Sequence, residues 1–402
     1  MADAASGQDD GRSDFMLSAN LVIHAIGLAC FVLAGCGCIH SLAAAFLVRR
    51  FRTEHVPELT AFPSVTILKP VHGAEAGLYE NLSSFCDQDY QGETQIVFGV
   101  HDPLDPAVLV IERLIAARPD KHLELRLTSA SRGANPKVAN LLGMEAWIRH
   151  EIVVIADSDI AVPRDYLSRT VAALGRPGVG LVTYLYRGDV RGGVWARLAA
   201  MAIDYQFLPN VLVGLAAGLA RPCFGATMAM KRETLAAIGG FDAFLSHLAD
   251  DNAIGEAVRK AGLLVWIPQL VLSHTCAERD IGELLRHELR WARTLRAASP
   301  LGYAGLVMTH PLPFAVLGSL LAGQPLISAA MIAAALACRL VLQVQVDDTL
   351  GIRSNAWLGP VRDLLAFGIH FASFFVGVVS WRGHRYRVRA DGTLVPLGEH
   401  RT

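Results

Sequence analysis

Three places in the sequence bring chemically capable side chains close together. Asp157-Ser158-Asp159 directly follows Ile152-Val153-Val154-Ile155-Ala156, so an apolar strand delivers two carboxylates to one loop. Such a pair can share a hard divalent cation, Mg2+ or Mn2+, whose remaining positions go to diphosphate oxygens and water. The plain alternative is a capped turn. Asp250-Asp251 opens a helical stretch over 252–261, where adjacent acids cap the helix and complement its dipole. His287-Glu288-Leu289-Arg290-Trp291 lies in a stretch with arginines at 286, 290, 293 and 296, and on its own reads as a basic interfacial helix over 281–300.

Residues 60–280 have ordinary polarity and alternate short β-rich runs with helical stretches, which is an α/β pattern. Strands are expected at 65–70, ending in Lys69-Pro70, at 95–100, at 123–127 and at 152–156. Helices are expected to about 85, over 107–117, and from the turn at Asn135-Pro136-Lys137 to about 147. In an open parallel sheet ligands bind beyond the carboxyl ends of the strands, which is where Asp102 and Asp157 fall.

The rest of the chain is greasier. Hydrophobic residues make up 52% of the 402 and charged residues 18%, against about 25% in a soluble domain, which points to an integral membrane protein. Residues 15–48 carry no formal charge, enough for one transmembrane helix. An acidic tail (1–14, with Asp3, Asp9, Asp10 and Asp14) precedes it and Arg49, Arg50 and Arg52 follow, so the positive-inside rule places residue 50 onward in the cytoplasm. Membrane segments are expected again across 304–381, at about 304–322, 325–346 and 364–381. The basic tail 382–402 (Arg382, Arg385, Arg387, Arg389) favours an even number of crossings, so the segment with Pro311 and Pro313 is expected to be re-entrant or interfacial. Residues 195–230, broken by Pro209 and Pro222, fit either a membrane-dipped stretch or a buried helix pair. Lys plus Arg is 36 against 37 for Asp plus Glu, so no global positive field gathers nucleic acid. The seven cysteines show no paired spacing, as in a reducing compartment without disulfides.

Leu68-Lys69-Pro70, Asp87-Gln88-Asp89-Tyr90, Asn135-Pro136-Lys137-Val138-Ala139-Asn140-Leu141, Gly180-Leu181-Val182, Ala249-Asp250-Asp251, Leu289-Arg290-Trp291 and Trp381-Arg382-Gly383-His384-Arg385-Tyr386-Arg387-Val388-Arg389 occur in one order. In that order the chain resembles the ceramide glucosyltransferases, membrane-bound family 2-like and family 21 glycosyltransferases with a GT-A, Rossmann-like nucleotide-sugar-binding domain flanked by transmembrane helices. The resemblance implies transfer of glucose or a similar sugar from a UDP-sugar to a lipid hydroxyl, with inversion to a β-linkage. It makes Asp251 the general base, with Asp157 and Asp159 holding the metal and Lys137 and Arg290 acting as cationic donors to the leaving UDP. Lys69, Asp102 and Asp157 fall on the nucleotide-sugar side, and Asp89 either joins them or caps its turn. Asp250, His287 and Trp291 fall on the acceptor side, with Trp291 packing against acceptor or excluding water.

His287 stands where the family usually has Gln or Arg. Asp157-Ser158-Asp159 and Leu208-Pro209 stand where animal enzymes have Asp-Ser-Gly and His-Pro. Both departures point to a bacterial branch in the inner membrane, which includes enzymes glycosylating hopanoid polyols. Competing readings are a polyprenyl-phosphate glycosyltransferase, a polymer synthase, against which the few spans argue, and a non-catalytic scaffold, against which the retained aspartates argue. Oligomeric state has no signal in the sequence.

Overall fold

The computed structural model describes residues 6–51, 59–128, 133–352, 356–375, 378–381, 384–389 and 393–396. Asp3, Arg52, Arg382 and residues 397–402 of the expected flanking tails lie outside them. The chain divides into two compact units, Phe51–Leu301 with Ala372–Thr402, and Met1–Arg50 with Gly302–Phe371. The first helix, α1 (Ser6–Arg50), belongs to the latter.

The larger unit is an α/β fold. Strands β1 (Val65–Pro70), β2 (Thr94–Val100), β3 (His122–Leu127) and β4 (Ile152–Ala156) are parallel in the order β3-β2-β1-β4. β1 and β4 are buried at every residue, because helices cover both faces of the sheet. The pleat sends successive side chains to two cores. Val65, Ile67, Ile152 and Val154 join α2 (Leu78–Cys86) and α3 (Ala107–Ala117) on one face, while Leu68, Val153 and Ile155 meet α4 (Pro136–Met144) on the other. Helix α4 starts where it does because Pro136 occupies its first turn and Asn135 caps it, accepting from the amides of Lys137 at 2.9 Å and Val138 at 3.1 Å.

Beyond β4 the chain forms β5 (Ile160–Ala161), α5 (Tyr166–Leu174), β6 (Val179–Thr183) and β7 (Leu185–Val190). Then come α6 (Val194–Ala202), a π-helical turn at Ile203–Phe207, α7 (Leu208–Ala216), β8 (Thr227–Lys231), α8 (Arg232–Ala237), α9 (Asp250–Lys260), β9 (Leu264–Trp266), β10 (Val271–Cys276) and α10 (Ile281–Ala298). The main sheet is completed as β3-β2-β1-β4-β8-β6-β9, and a second sheet runs β5-β10-β7. The apolar stretch at 195–230 resolves into parts: Thr227–Lys231 is a strand of the main sheet, and Val194–Ala216 is a helical run apolar and long enough to cross a membrane. That run is half-buried, and α6 packs on the second sheet so closely that a β-carbon at Gly188 would clash with Ala200.

The other unit packs α1 against α12 (Pro311–Ala322) and α13 (Pro325–Leu350), which follow the short α11 (Pro300–Gly305). A β-carbon at Gly27 would lie 2.7 Å from the Ala322 amide nitrogen, and one at Gly37 would lie 2.9 Å from that of Pro311. Small residues therefore let these helices approach closely. Among the described residues three helices are long and apolar enough to span a bilayer, Ser18–Arg50, Val194–Ala216 and Pro325–Leu350. Pro300–Thr309 and Pro311–Ala322 form a pair bent by 65°, with His310 between the two prolines' segments. With these helices the chain is an integral membrane protein. The expected segment at 364–381 ends early: α14 spans Gly359–Phe375, and Val378–Trp381 is a strand, β11, paired with β12 (His384–Val388) and through it with β13 (Leu394–Pro396). β-Branched Val378 and Val379 favour that pairing over a further helical turn.

Arg339 on α13 and Asp363 on α14 are 6% and 3% exposed and form a bidentate pair at 2.7 to 3.0 Å. Removing one member leaves a buried charge without its partner. Asp363→Leu is expected to cost about 3 kcal/mol or more in thermal or denaturant unfolding of the detergent-solubilised protein, and Arg339→Leu/Asp363→Leu to recover most of it. A single substitution as mild as the double one would remove this pair from the account of helix docking.

Candidate active site

The carboxyl ends of β1 and β4 carry the first group of side chains. Lys69 is fully buried on β1, with Nζ donating to the Asp157 carbonyl at 2.6 Å and lying 3.7 Å from the centre of the Phe85 ring. Burial pushes this ammonium down to about 7, against the attraction of Asp157 and Asp159. Lys137, placed by the capped start of α4, reaches across the sheet edge. Its Nζ lies 2.6 Å from Asp157 Oδ1, 3.3 Å from the Gly225 carbonyl and 3.8 Å from Asp250 Oδ2. Burial opposes its charge, but Asp157 and Asp250 outweigh burial and hold it above the ordinary lysine range. Asp157 is itself pushed up by burial and by Asp159, with Lys137 acting the other way.

The second sheet supplies partners for Asp159. β10 pairs with β5 so that His274 lies opposite Ile160, and Thr275 donates its amide to the Asp159 carbonyl at 2.8 Å. His274, 5% exposed, stands with Nε2 3.3 Å from Asp159 Oδ2. Burial disfavours charge on both groups; their mutual attraction prevails and keeps Asp159 below the carboxylate range and His274 well above the imidazole range. Buried Asn81 ties the loop down, donating to the Ser158 carbonyl at 3.2 Å and to Thr275 Oγ1 at 3.0 Å. Tyr186 stacks on Phe207 at 4.8 Å and on His274 at 5.5 Å, and Trp291 of α10 completes an aromatic wall at 5.6 Å from His274 and 4.5 Å from His287. His287 pairs with Glu278 at 2.7 Å. Arg290, one position before Trp291, is held below its ordinary value by burial, against the pull of Asp159, Asp157 and Glu75.

Helix α9 begins at Asp250 rather than at Asn252, so both acids lie in its first turn. Asp250 accepts from Asn135 Nδ2 at 3.2 Å through Oδ1, while its Oδ2 makes no hydrogen bond. Asp251 accepts amides on both oxygens, Gly225 at 2.8 Å and Asn252 at 2.7 Å. Burial and Asp250 push its carboxyl up to about 6, against Lys137 and the two amides. A β-carbon at Gly225 would lie 3.2 Å from both Asp251 Oδ2 and Lys137 Nζ, so glycine keeps this corner open.

Nine of the eleven residues singled out in the sequence thus belong to one network: Lys69, Lys137, Asp157, Asp159, Asp250, Asp251, His287, Arg290 and Trp291. Asp102 lies two strands from Asp157 along the same edge and is exposed, with Oδ1 taking the Leu104 amide at 2.8 Å in a local turn. The structure does not bring Asp89 to the network. It precedes β2, at the opposite end of the sheet, where its exposed carboxylate pairs with Arg164 at 2.8 Å. His274, Asn81, Tyr186 and Glu278 were not evident from the sequence. A histidine inside the apolar strand Val271–Cys276 is the one trace of them, because a buried imidazole must have a partner.

Asp159 Oδ1 is buried without a hydrogen-bond partner, a carboxylate oxygen of the kind that hard divalent ions take as a ligand.

The model of the family described as glycosyl transferase family 21 matches residues 29–394. The chain belongs to glycosyl transferase family 21. Ceramide glucosyltransferase 1 of Caenorhabditis elegans is 25% identical over 305 residues, 74% of this chain and 64% of that protein. Beta-monoglucosyldiacylglycerol synthase of Synechocystis is 27% identical over 218 residues, 50% of this chain and 43% of that one. The chain thus spans less than two thirds of the length of these relatives. A mannosyltransferase from Pyrobaculum calidifontis, solved with GDP-Man and Mn2+, superposes with a TM-score of 0.49 at 22% identity, covering 88% of this chain and 99% of that one.

For this family 21 member, an infrared difference titration referenced to Asp251→Asn is expected to show the Asp251 carboxyl losing its proton near pH 6. Lys137→Met should move the midpoint higher, since the lysine holds it down. A midpoint near that of a solvated aspartate, about 3.9, would show that burial and Asp250 do not govern this carboxyl.

Proposed function

We propose that the chain is an inverting glycosyltransferase that moves a sugar, glucose in the first reading, from a UDP-sugar to the hydroxyl of a membrane lipid, ceramide in the first reading. The observation that carries it is the concentration of four carboxylates, Asp157, Asp159, Asp250 and Asp251, around Lys69, Lys137 and Arg290 in a chain of family 21. The worm relative's name supports ceramide.

In this reading Asp251 takes the proton of the acceptor hydroxyl as its oxygen attacks the anomeric carbon. Its raised pKa puts it near neutrality, where a base is both deprotonated and strong enough to accept. Asp157 and Asp159 would hold Mg2+ or Mn2+, which when bound neutralises charge on the leaving diphosphate. Lys137 and Arg290 add fixed positive charge on the same side. Lys69 fixes the Asp157 backbone, and Asp102 stands along the same edge for the nucleoside. Asp250 steadies Asn135 and Lys137, while His287 and Trp291 wall the acceptor side and exclude water. In this reading the catalytic unit faces the cytoplasm of a bacterial inner membrane, an orientation supported by the arginines that follow the first membrane helix. A hopanoid polyol is the second reading of the acceptor, favoured by Asp157-Ser158-Asp159 and Leu208-Pro209.

Asp251→Asn is expected to lower turnover on the order of 10^2- to 10^4-fold while UDP-glucose binding stays within a few-fold; near-normal turnover would remove the assignment. The rate of the intact protein should rise with pH through about 6, because the base works deprotonated and its folded-state pKa lies above that of free aspartate. Isothermal titration with UDP should show binding that collapses with a chelator and weakens in Asp159→Ala. Binding indifferent to both would reduce Asp157-Ser158-Asp159 to a turn.

A further inference from the structure

At the opposite end of the main sheet, away from every residue given a role above, the starts of three strands meet. Glu93 immediately precedes β2, His122 is the first residue of β3, and His150 comes two residues before β4. One ligating atom from each lies within 4.8 Å of the others. His150 is 8% exposed, and its Nε2 is buried with no hydrogen-bond partner, 4.0 Å from Glu93 Oε1. A neutral imidazole nitrogen without a partner is costly to bury, and here it is aimed at a carboxylate and a second imidazole.

The surroundings of His122 resemble an orienting shell. Buried Thr66 donates Oγ1 to Gln95 Oε1 at 3.0 Å, and Gln95 donates Nε2 to Glu124 Oε1 at 2.9 Å. That same Glu124 oxygen lies 2.9 Å from His122 Nε2. With Nε2–H given to Glu124, the other ring nitrogen keeps its lone pair. A carboxylate behind a histidine is the arrangement that orients metal-binding imidazoles and raises their basicity. Arg149 stands 3.3 Å from both the Glu124 oxygen and His122 Nε2; it is half-exposed and can stay with Glu124 alone.

We propose that Glu93, His122 and His150 form a second cation site, selective for a Zn2+-class ion, with water in the fourth position. Two imidazoles and one carboxylate suit a borderline ion, whereas the all-oxygen set of Asp157 and Asp159 suits Mg2+ or Mn2+. Tetrahedral ligands at about 2.0 to 2.2 Å from zinc sit about 3.3 Å apart, so the ion need draw the three side chains in by only about an ångström. Glu93, with a side chain 70% exposed, has the freedom to make that move. The bound ion would clamp the starts of β2, β3 and β4 together.

The test uses full-length, chelator-stripped protein in detergent, carrying Asp159→Ala to silence the carboxylate edge, dialysed against Zn2+ alone and against Co2+ alone. One equivalent of Zn2+ is expected, with a tetrahedral Co2+ absorption band. Adding His122→Ala should weaken uptake at least tenfold and abolish the band. Glu93→Gln, on an exposed side chain that does not threaten folding, should weaken uptake as well. No zinc bound by the Asp159→Ala protein, or uptake and spectrum unchanged by both further substitutions, would overturn the proposal.

Discussion

One ammonium, that of Lys137, joins the parts of the candidate active site. Lys137 Nζ meets Asp157 from the end of β4, the Gly225 carbonyl just before β8, and Asp250 from the start of α9. These segments are far apart in sequence, and each brings a negative or partly negative group that would repel the others without the cation. Asp251 sits beside this arrangement, raised by Asp250 and restrained by Lys137. The same contact that holds the loops together therefore sets the proton affinity of the proposed base. The capped start of α4 matters for this reason: Asn135 aims Lys137 and also donates to Asp250.

A second constraint acts on Asp159 from the smaller sheet. His274 arrives on β10 because that strand pairs with β5, the two residues directly after the aspartate loop. Tyr186 of β7 and Trp291 of α10 flank the imidazole, and burial of the His274–Asp159 pair away from water strengthens its attraction. The loop thus faces a lysine on one side and a histidine on the other, with one Asp159 oxygen left over.

Much of this was legible in the sequence. Strands such as Ile152–Ala156 and the helix Ala107–Ala117 stand out because buried parallel strands are continuously apolar and their punctuation by Pro, Asn and Asp is local. Residues that act at strand ends, Lys69, Asp157 and Asp159, follow from that reading. His274 and Asn81 were hidden because their roles arise from pairing between segments distant in sequence, 77 residues for Asn81–Ser158 and 194 for Asn81–Thr275, and no local pattern reports such pairing. Asp89 resembles its motif, yet lies at the wrong end of the sheet, where Arg164 neutralises it. Periodicity also could not distinguish a fourth apolar helix from the strand Val378–Trp381, since a short run of valine and aromatic residues suits either.

Mass spectrometry of lipids from a host expressing the intact chain, against the same host expressing Asp251→Asn, tests the central claim most directly when ceramide and a hopanoid polyol are both supplied. The account predicts a new hexosylceramide, formed only by the intact protein; a glycosylated hopanoid in its place would keep the chemistry and change the acceptor. No new glycolipid from the intact protein, or the same glycolipid from both, would contradict it.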